Sequence, residues 1–142
     1  MDEIDEQIVA LLVEDGRRSY GDIATRVSLS APSVKRRVDA LLRRGAITGF
    51  TARLNPEAMG QTTEALVELF YAPGTLLDEV AARLRQHPEV VEAWSVTGDA
   101  DAIARVRTRS NADLERLIMR LQQDGSVRRT RSQVVLSQLV GR

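Results

Sequence analysis

The 142-residue sequence contains no cysteine and a single histidine, His87. Without thiols there is no disulfide framework and no cysteine nucleophile. His87 directly precedes Pro88, a position at the end of a helix where an imidazole serves the last carbonyls. No Gly-rich phosphate loop occurs, and no His/Asp/Glu cluster has the spacing of metal ligands, so the sequence offers neither catalytic machinery nor a cofactor site. Aromatic residues make up only 4% of the chain; the lone tryptophan, Trp94, is expected in a core or an interface. No apolar run approaches the ~20 residues of a membrane span. The start, Met1-Asp2-Glu3, is acidic where an export signal would be basic and then apolar. These absences predict a non-enzymatic cytoplasmic protein with no membrane partner.

Net charge is also lacking, but the zero conceals a segregation. Residues 1–15 carry six acids and no base, whereas residues 17–53 carry nine Lys/Arg against Asp22 and Asp39 alone, a local +7. From Pro56 onward eleven bases face twelve acids. Positive charge concentrated in one segment is the footprint of a nucleic-acid contact.

In that segment and before it, apolar periodicity marks three helices. Ile4, Ile8, Leu11 and Leu12 recur at helical spacing behind an acidic start, predicting a helix over 3–15 that Gly16 ends. Ser19 can cap a second helix, 20–27, with Ile23, Ala24 and Val27 inward, and Ser30 a third that opens with Ala31-Pro32. The third runs to about Arg44 with Val34, Val38, Leu41 and Leu42 on one side, and Gly45 stops it. Phe50, Ala52 and Leu54 alternate with polar residues, predicting a short wing or linker strand from about Ile47 until Asn55-Pro56.

The three-residue turn Ser28-Leu29-Ser30, the small Ala24 and the inward Val34 meet the spacing of a helix-turn-helix. In such a motif the second helix of the pair enters the major groove of double-stranded DNA with its N-terminal residues on base edges. Opposite Val34, Val38 and Leu41 on the helical wheel lie Pro32, Ser33, Arg36, Ala40 and Arg43. Arg pairs bidentately with guanine and Ser serves either base edge, so Ser33 and Arg36 are the base-reading candidates, with Ser30 at the helix start beside them. Lys35, Arg37, Arg43 and Arg53 are the candidate phosphate contacts. The alternative is a solvated basic helix in a small bundle.

The second half contains an internal repeat. Arg83-Leu84-Arg85-Gln86 followed by Val90 matches Arg120-Leu121-Gln122-Gln123 followed by Val127, an offset of 37 residues, and the apolar register holds upstream. Two copies of strand-helix-strand result: strands near 64–71, 90–97, 101–108 and 127–140, helices near 76–86 and 111–123. The order βαββαβ is the ferredoxin-like split arrangement. Its helices cover one face of the sheet. Residues 64–71 look apolar on both faces through their centre, and Val134-Val135-Leu136 repeats the pattern, so the bare face is expected to be covered by sheet-to-sheet dimerisation. The fold class is α+β, with a helix-turn-helix domain at 1–54, a winged helix-turn-helix if the strand from Ile47 is a wing and not a linker, then a linker at 55–63 and a βαββαβ domain at 64–142. The turn Gly98-Asp99-Ala100-Asp101 has two readings. Gly and Asp favour an ordinary hairpin loop, and two carboxylates with exposed amides also match the ammonium and carboxylate of a free amino acid.

In order along the chain, Asp5 to Leu12, Asp15-Gly16-Arg17, Ile23-Ala24, Leu29-Ser30, Arg37-Val38, Gly45-Ala46-Ile47-Thr48-Gly49-Phe50, Leu54-Asn55-Pro56, Val96 to Asp101 and Thr130-Arg131-Ser132 resemble the leucine-responsive/asparagine (Lrp/AsnC, feast/famine) regulator family. The resemblance covers nearly the whole chain. It implies a transcriptional regulator with homodimers that assemble to octamers and a small-molecule effector, an amino acid, held between dimers. It further implies effector contacts at Thr97, Gly98, Asp99, Ala100, Asp101 and Thr130. Two positions depart from the family pattern: Ser28 replaces the usual turn glycine, and Ala100 replaces a frequently larger residue beside the ligand. The rival readings are an effector-independent architectural DNA-binding protein and an amino-acid-binding subunit of an enzyme; the basic segment speaks against the second.

Overall fold

The computed structural model describes residues 1–140. The chain divides into two compact units, Met1–Arg53 and Leu54–Arg142.

In the first unit, α1 (Glu3–Glu14), α2 (Tyr20–Arg26) and α3 (Ala31–Arg43) are each started by a polar side chain. The Asp2 carboxylate accepts from the Asp5 amide (2.8 Å) and Asp5 returns the bond to the Asp2 amide, a reciprocal capping box. Ser19 and Ser30 cap α2 and α3. The end of α3 shows why glycine stands there. Gly45 has φ +71°, and its amide and that of Ala46 donate to the carbonyls of Leu42 and Leu41, which closes the last turn. Ile8, Leu12, Ile23, Ala24, Val27, Val34 and Val38 form the core, with Ile4, Leu11, Tyr20 and Ile47 packed against it.

The expected wing strand is absent. Residues 47–54 form no ladder, and Phe50 and Leu54 are exposed. Alternation along a single segment is not enough to make a strand, because no partner lies beside it to take its amides and carbonyls.

The second unit has the order β1 (Thr63–Tyr71), α4 (Leu77–Leu84), β2 (Val90–Ser95), β3 (Ala102–Thr108), α5 (Asn111–Gln122) and β4 (Val127–Val134). The antiparallel sheet runs β2-β3-β1-β4, so the first strands of the two repeats pair at its centre. Ala65, Val67, Leu69, Ala102, Ala104, Val106 and Val127 face Val80, Leu84, Leu114, Leu117 and Leu121 of the helices. The repeats also exchange arginines. Arg83 of α4 reaches Ser126 and Asp124 before β4, and Arg120 of α5 reaches Glu89 before β2.

Two expectations about this sheet need correction. The last strand ends at Val134 rather than near 140, because β1 supplies partners only up to Ala65, with one further bond from the Val135 amide to the Glu64 carbonyl (2.8 Å). The bare face is also less apolar than the sequence suggests. On β1 it presents Glu64, Leu66, Glu68 and Phe70, and the two acids pair with Arg107 (2.6 Å) and Arg131. Phe70 is roofed by the Arg129 guanidinium, 3.9 Å from the ring centroid.

Candidate functional site

The helix-turn-helix is formed by α2, a tight turn and α3. The Leu29 amide donates to the Ala24 carbonyl (3.0 Å), which requires the left-handed conformation at the residue between the helix end and Leu29; Ser28 adopts it, with φ +55°. Ser28 is thus a serine in a position that suits glycine.

Val34, Val38 and Leu41, each at 0% exposure, face the core and leave the opposite side of α3 to solvent. Arg36 and Arg43, seven residues apart and so on one stripe, are exposed and form no ion pair among the described residues. Arg53 is likewise exposed. Lys35 is exposed but pairs with Asp39 (2.7 Å), a surface contact within one helix that a phosphate can displace at little cost. Ser30 and Ser33 are joined: the Ser30 hydroxyl caps the Ser33 amide (3.3 Å) and donates to the Ser33 hydroxyl (2.9 Å).

Arg37 differs from the expectation of a free phosphate contact. Its Nη1 is held by Asp2 Oδ2 (2.7 Å) at the N-cap of α1 and Asp5 Oδ1 (2.8 Å) in its first turn. Position on the wheel put Arg37 near the basic face, but the crossing of α1 over α3 turns its guanidinium toward two carboxylates. Bonds from Arg37 are the largest reason that both acids titrate below their ordinary value.

The turn between β2 and β3 lies at the end of the sheet. Gly98, φ +113°, takes a conformation that a side chain disfavours. Asp101 is stitched into the sheet: its carboxylate accepts from the Tyr71 amide (2.7 Å), its amide donates to the Leu69 carbonyl (3.0 Å) and its carbonyl accepts from the Val96 amide (3.2 Å). Burial and the neighbouring Asp101 charge push the Tyr71 phenol above its ordinary value. Ala100 is buried. Thr97, Asp99 and Ala100 join Glu68, Val96, Ile103 and Arg131 around a concavity of about 630 Å³ on the bare face of the sheet.

Thr130 does not join them. It pairs with Leu69 in the ladder and meets Gln122 of α5 at 3.4 Å, on the helix-covered side. Its neighbour Arg131 reaches the concavity instead, paired with Glu68, and its pKa is raised, chiefly by that bond, with a smaller contribution from Asp99. Glu68 and Arg131 were not among the site residues expected from sequence. Finding them required the β1–β4 register, which sets Glu68 against Arg131 and Leu69 against Thr130. Among the described residues, no group of acidic or histidine side chains is placed to hold a metal ion, and no helix is long and apolar enough to cross a membrane.

Comparison with known proteins bears on both units. The profile of the AsnC-type helix-turn-helix domain matches residues 1–42, and that of the Lrp/AsnC ligand binding domain matches residues 64–142. The HTH-type transcriptional regulator Rv2324 of Mycobacterium tuberculosis is 42% identical over 142 residues, which are 100% of this chain and 96% of that protein. The regulator LrpA of the same organism is 37% identical over 96% of this chain and 91% of its own length. Among solved structures, a feast or famine regulatory protein of M. tuberculosis complexed with L-methionine has a TM-score of 0.92 at 36% identity, covering 99% of this chain and 95% of that one. The relatives are named for transcriptional regulation, not for an enzymatic activity. With profile matches on both units and a relative similar over its whole length, the chain belongs to the Lrp/AsnC family of DNA-binding transcriptional regulators.

Proposed function

We propose that this regulator reads a specific DNA sequence through α3 and that an amino acid modulates its assembly and its hold on DNA. The observation that carries the first part is the stripe of Arg36 and Arg43, exposed and without ion-pair partners among the described residues, on the second helix of the helix-turn-helix, the one that in such motifs enters the major groove. Arg36, with Ser33 near the N-terminal end of the helix, contacts base edges; Arg43, Arg53 and Lys35 contact phosphates, and Ser30 holds the helix start and the Ser33 hydroxyl in place. Arg37 is left out of the DNA contacts because α1 holds it.

The concavity beside Gly98 supports the second part. It offers acids (Glu68, Asp99) toward an ammonium and the Arg131 guanidinium toward a carboxylate, with Val96, Ala100 and Ile103 as an apolar wall. Asp101 shapes the turn and adds its charge. A relative with this fold is complexed with L-methionine. Thr130, against Gln122 on the helix-covered side of the sheet, is left out of this concavity. Leu66, Ile103 and the half-exposed Trp94 leave apolar surface on the bare face for a homodimer, and octamers follow if dimers then join through the ligand.

The test is calorimetry of the full chain with a panel of amino acids that includes L-methionine, paired with sedimentation and DNA gel shifts at fixed salt. Differential affinity for two states requires the ligand to change assembly size or DNA affinity. A ligand that binds and changes neither, or no binding across the panel, favours the effector-independent architectural reading.

A further inference from the structure

Asp5 is the only charged residue among the buried residues of the described chain, at 5% exposure. Its two oxygens serve two arginines, one within α3 and one at its C-cap: Oδ1 accepts from Arg37 Nη1 (2.8 Å), and Oδ2 lies 3.5 Å from Arg44 Nη2. Arg37 of α3 and Arg44, the C-cap that continues its backbone in helical conformation, are seven residues apart, two turns and about 10.5 Å along one stripe. Arg36 and Arg43, each one residue earlier, form a second stripe about 100° around the helix. One arginine stripe is therefore anchored to a buried carboxylate, and the neighbouring stripe is presented to solvent.

We propose that Asp5 is a positioning residue for DNA recognition: by holding Arg37 and Arg44 it fixes the rotation of α3 and selects the Arg36/Arg43 stripe as the one that meets DNA. A carboxylate out of water demands compensation, and breaking a buried pair from one side is costly, so the helix turns to the setting in which both arginines reach Asp5. Asp2 reinforces that setting from the exposed side, its Oδ2 2.7 Å from the same Arg37 Nη1. Without the anchor, α3 can rock about its Val34–Val38–Leu41 ridge, and Arg37 and Arg44 become additional phosphate-seeking charges.

The inference rests on α3 being the DNA-reading helix, and the experiment separates the two claims. A duplex enriched by the wild-type full chain from a random-sequence pool is compared with a scrambled duplex of equal composition, over a series of salt concentrations, with folded fraction followed by circular dichroism. Asp5→Asn is expected to lower the ratio of enriched to scrambled binding about tenfold. Its salt dependence on the scrambled duplex is expected to steepen by about one to two, because Arg44 is released to phosphates and Arg37 is left with only the exposed Asp2, a pair that a phosphate can displace. Simple loss of folding would lower both affinities together and leave the slope unsteepened, which would overturn the proposal.

Arg44→Gln, on an exposed side chain, gives an independent reading: no change of slope in the wild-type background, and a decrease of about one in the Asp5→Asn background. A decrease already in the wild-type background would mean that Arg44 contacts phosphate directly, and the proposal fails. An unchanged ratio in Asp5→Asn overturns it as well, while wild type that binds both duplexes equally overturns the DNA-reading assignment itself and this inference with it.

Discussion

At the scale of single residues, the most informative are those whose partners contradict or qualify their position in the sequence. Ser28 is the only non-glycine residue with positive φ among the described residues. Left-handed backbone costs an L-residue roughly 1–2 kcal/mol, partly offset in a glycine replacement by the greater entropy of the unfolded chain. Ser28→Gly is therefore expected to stabilise the first unit by about 0.5–1 kcal/mol, read as a higher denaturation midpoint at unchanged slope. An unchanged or lower midpoint would mean that the turn gains something from the serine hydroxyl. Asp101 poses the reverse problem, since a residue expected to hold a ligand also holds the Tyr71 amide. Asp101→Asn keeps an oxygen acceptor for that amide while it removes the charge. Amino-acid affinity is expected to fall about tenfold to a hundredfold, the range for one charge-assisted bond, with ligand-free DNA affinity unchanged. Equal losses in both would assign Asp101 to structure alone. Such dual roles are not legible from a sequence, because they depend on which main-chain groups a fold brings within 3 Å of a side chain.

At the scale of elements, legibility follows whether the cause is local. The caps Ser19 and Ser30 and the stop at Gly45 are visible in the sequence because each rests on residues a few positions apart, and the βαββαβ order because its short periodic pattern recurs 37 residues later. The missing wing at 47–54, the early end of β4 and the placement of Thr130 away from the turn depend on a partner strand and its register, which no local pattern supplies. The bond between α1 and α3 is of the same kind and has a pH signature. Asp2 and Asp5 are held below their ordinary value of 3.8, in both cases chiefly by the bond from Arg37; Arg44 is the other cation facing Asp5. Because the folded pKa is the lower one, the stability this link contributes is fully present above about pH 5 and is lost as pH falls below the unfolded value and through the folded one. Thermal melts between about pH 6 and 3 are expected to show wild type losing more stability than Asp5→Asn in the window below about pH 4. Parallel curves would deny the link any energetic role.

At the scale of the whole molecule, charge is divided along with fold. The basic segment belongs to the unit that carries α3, and among the described residues five of its nine cations are tied to carboxylates: Arg18, Arg26, Lys35, Arg37 and Arg44. The local +7 of the sequence therefore overstates the charge offered to DNA. What remains is a small set, Arg17, Arg36, Arg43 and Arg53, of which two lie on one stripe of the reading helix. The most direct test of that selection compares Arg36→Ala with Arg37→Ala on the enriched and scrambled duplexes at matched salt. If Arg36 reads a base edge, Arg36→Ala is expected to lower the binding ratio by about tenfold or more, while Arg37→Ala, at equal folded fraction, leaves the slope of affinity against salt unchanged because that guanidinium contacts no phosphate. Loss of discrimination in neither variant, or a shallower salt slope in Arg37→Ala alone, would show that another face of α3 meets the DNA.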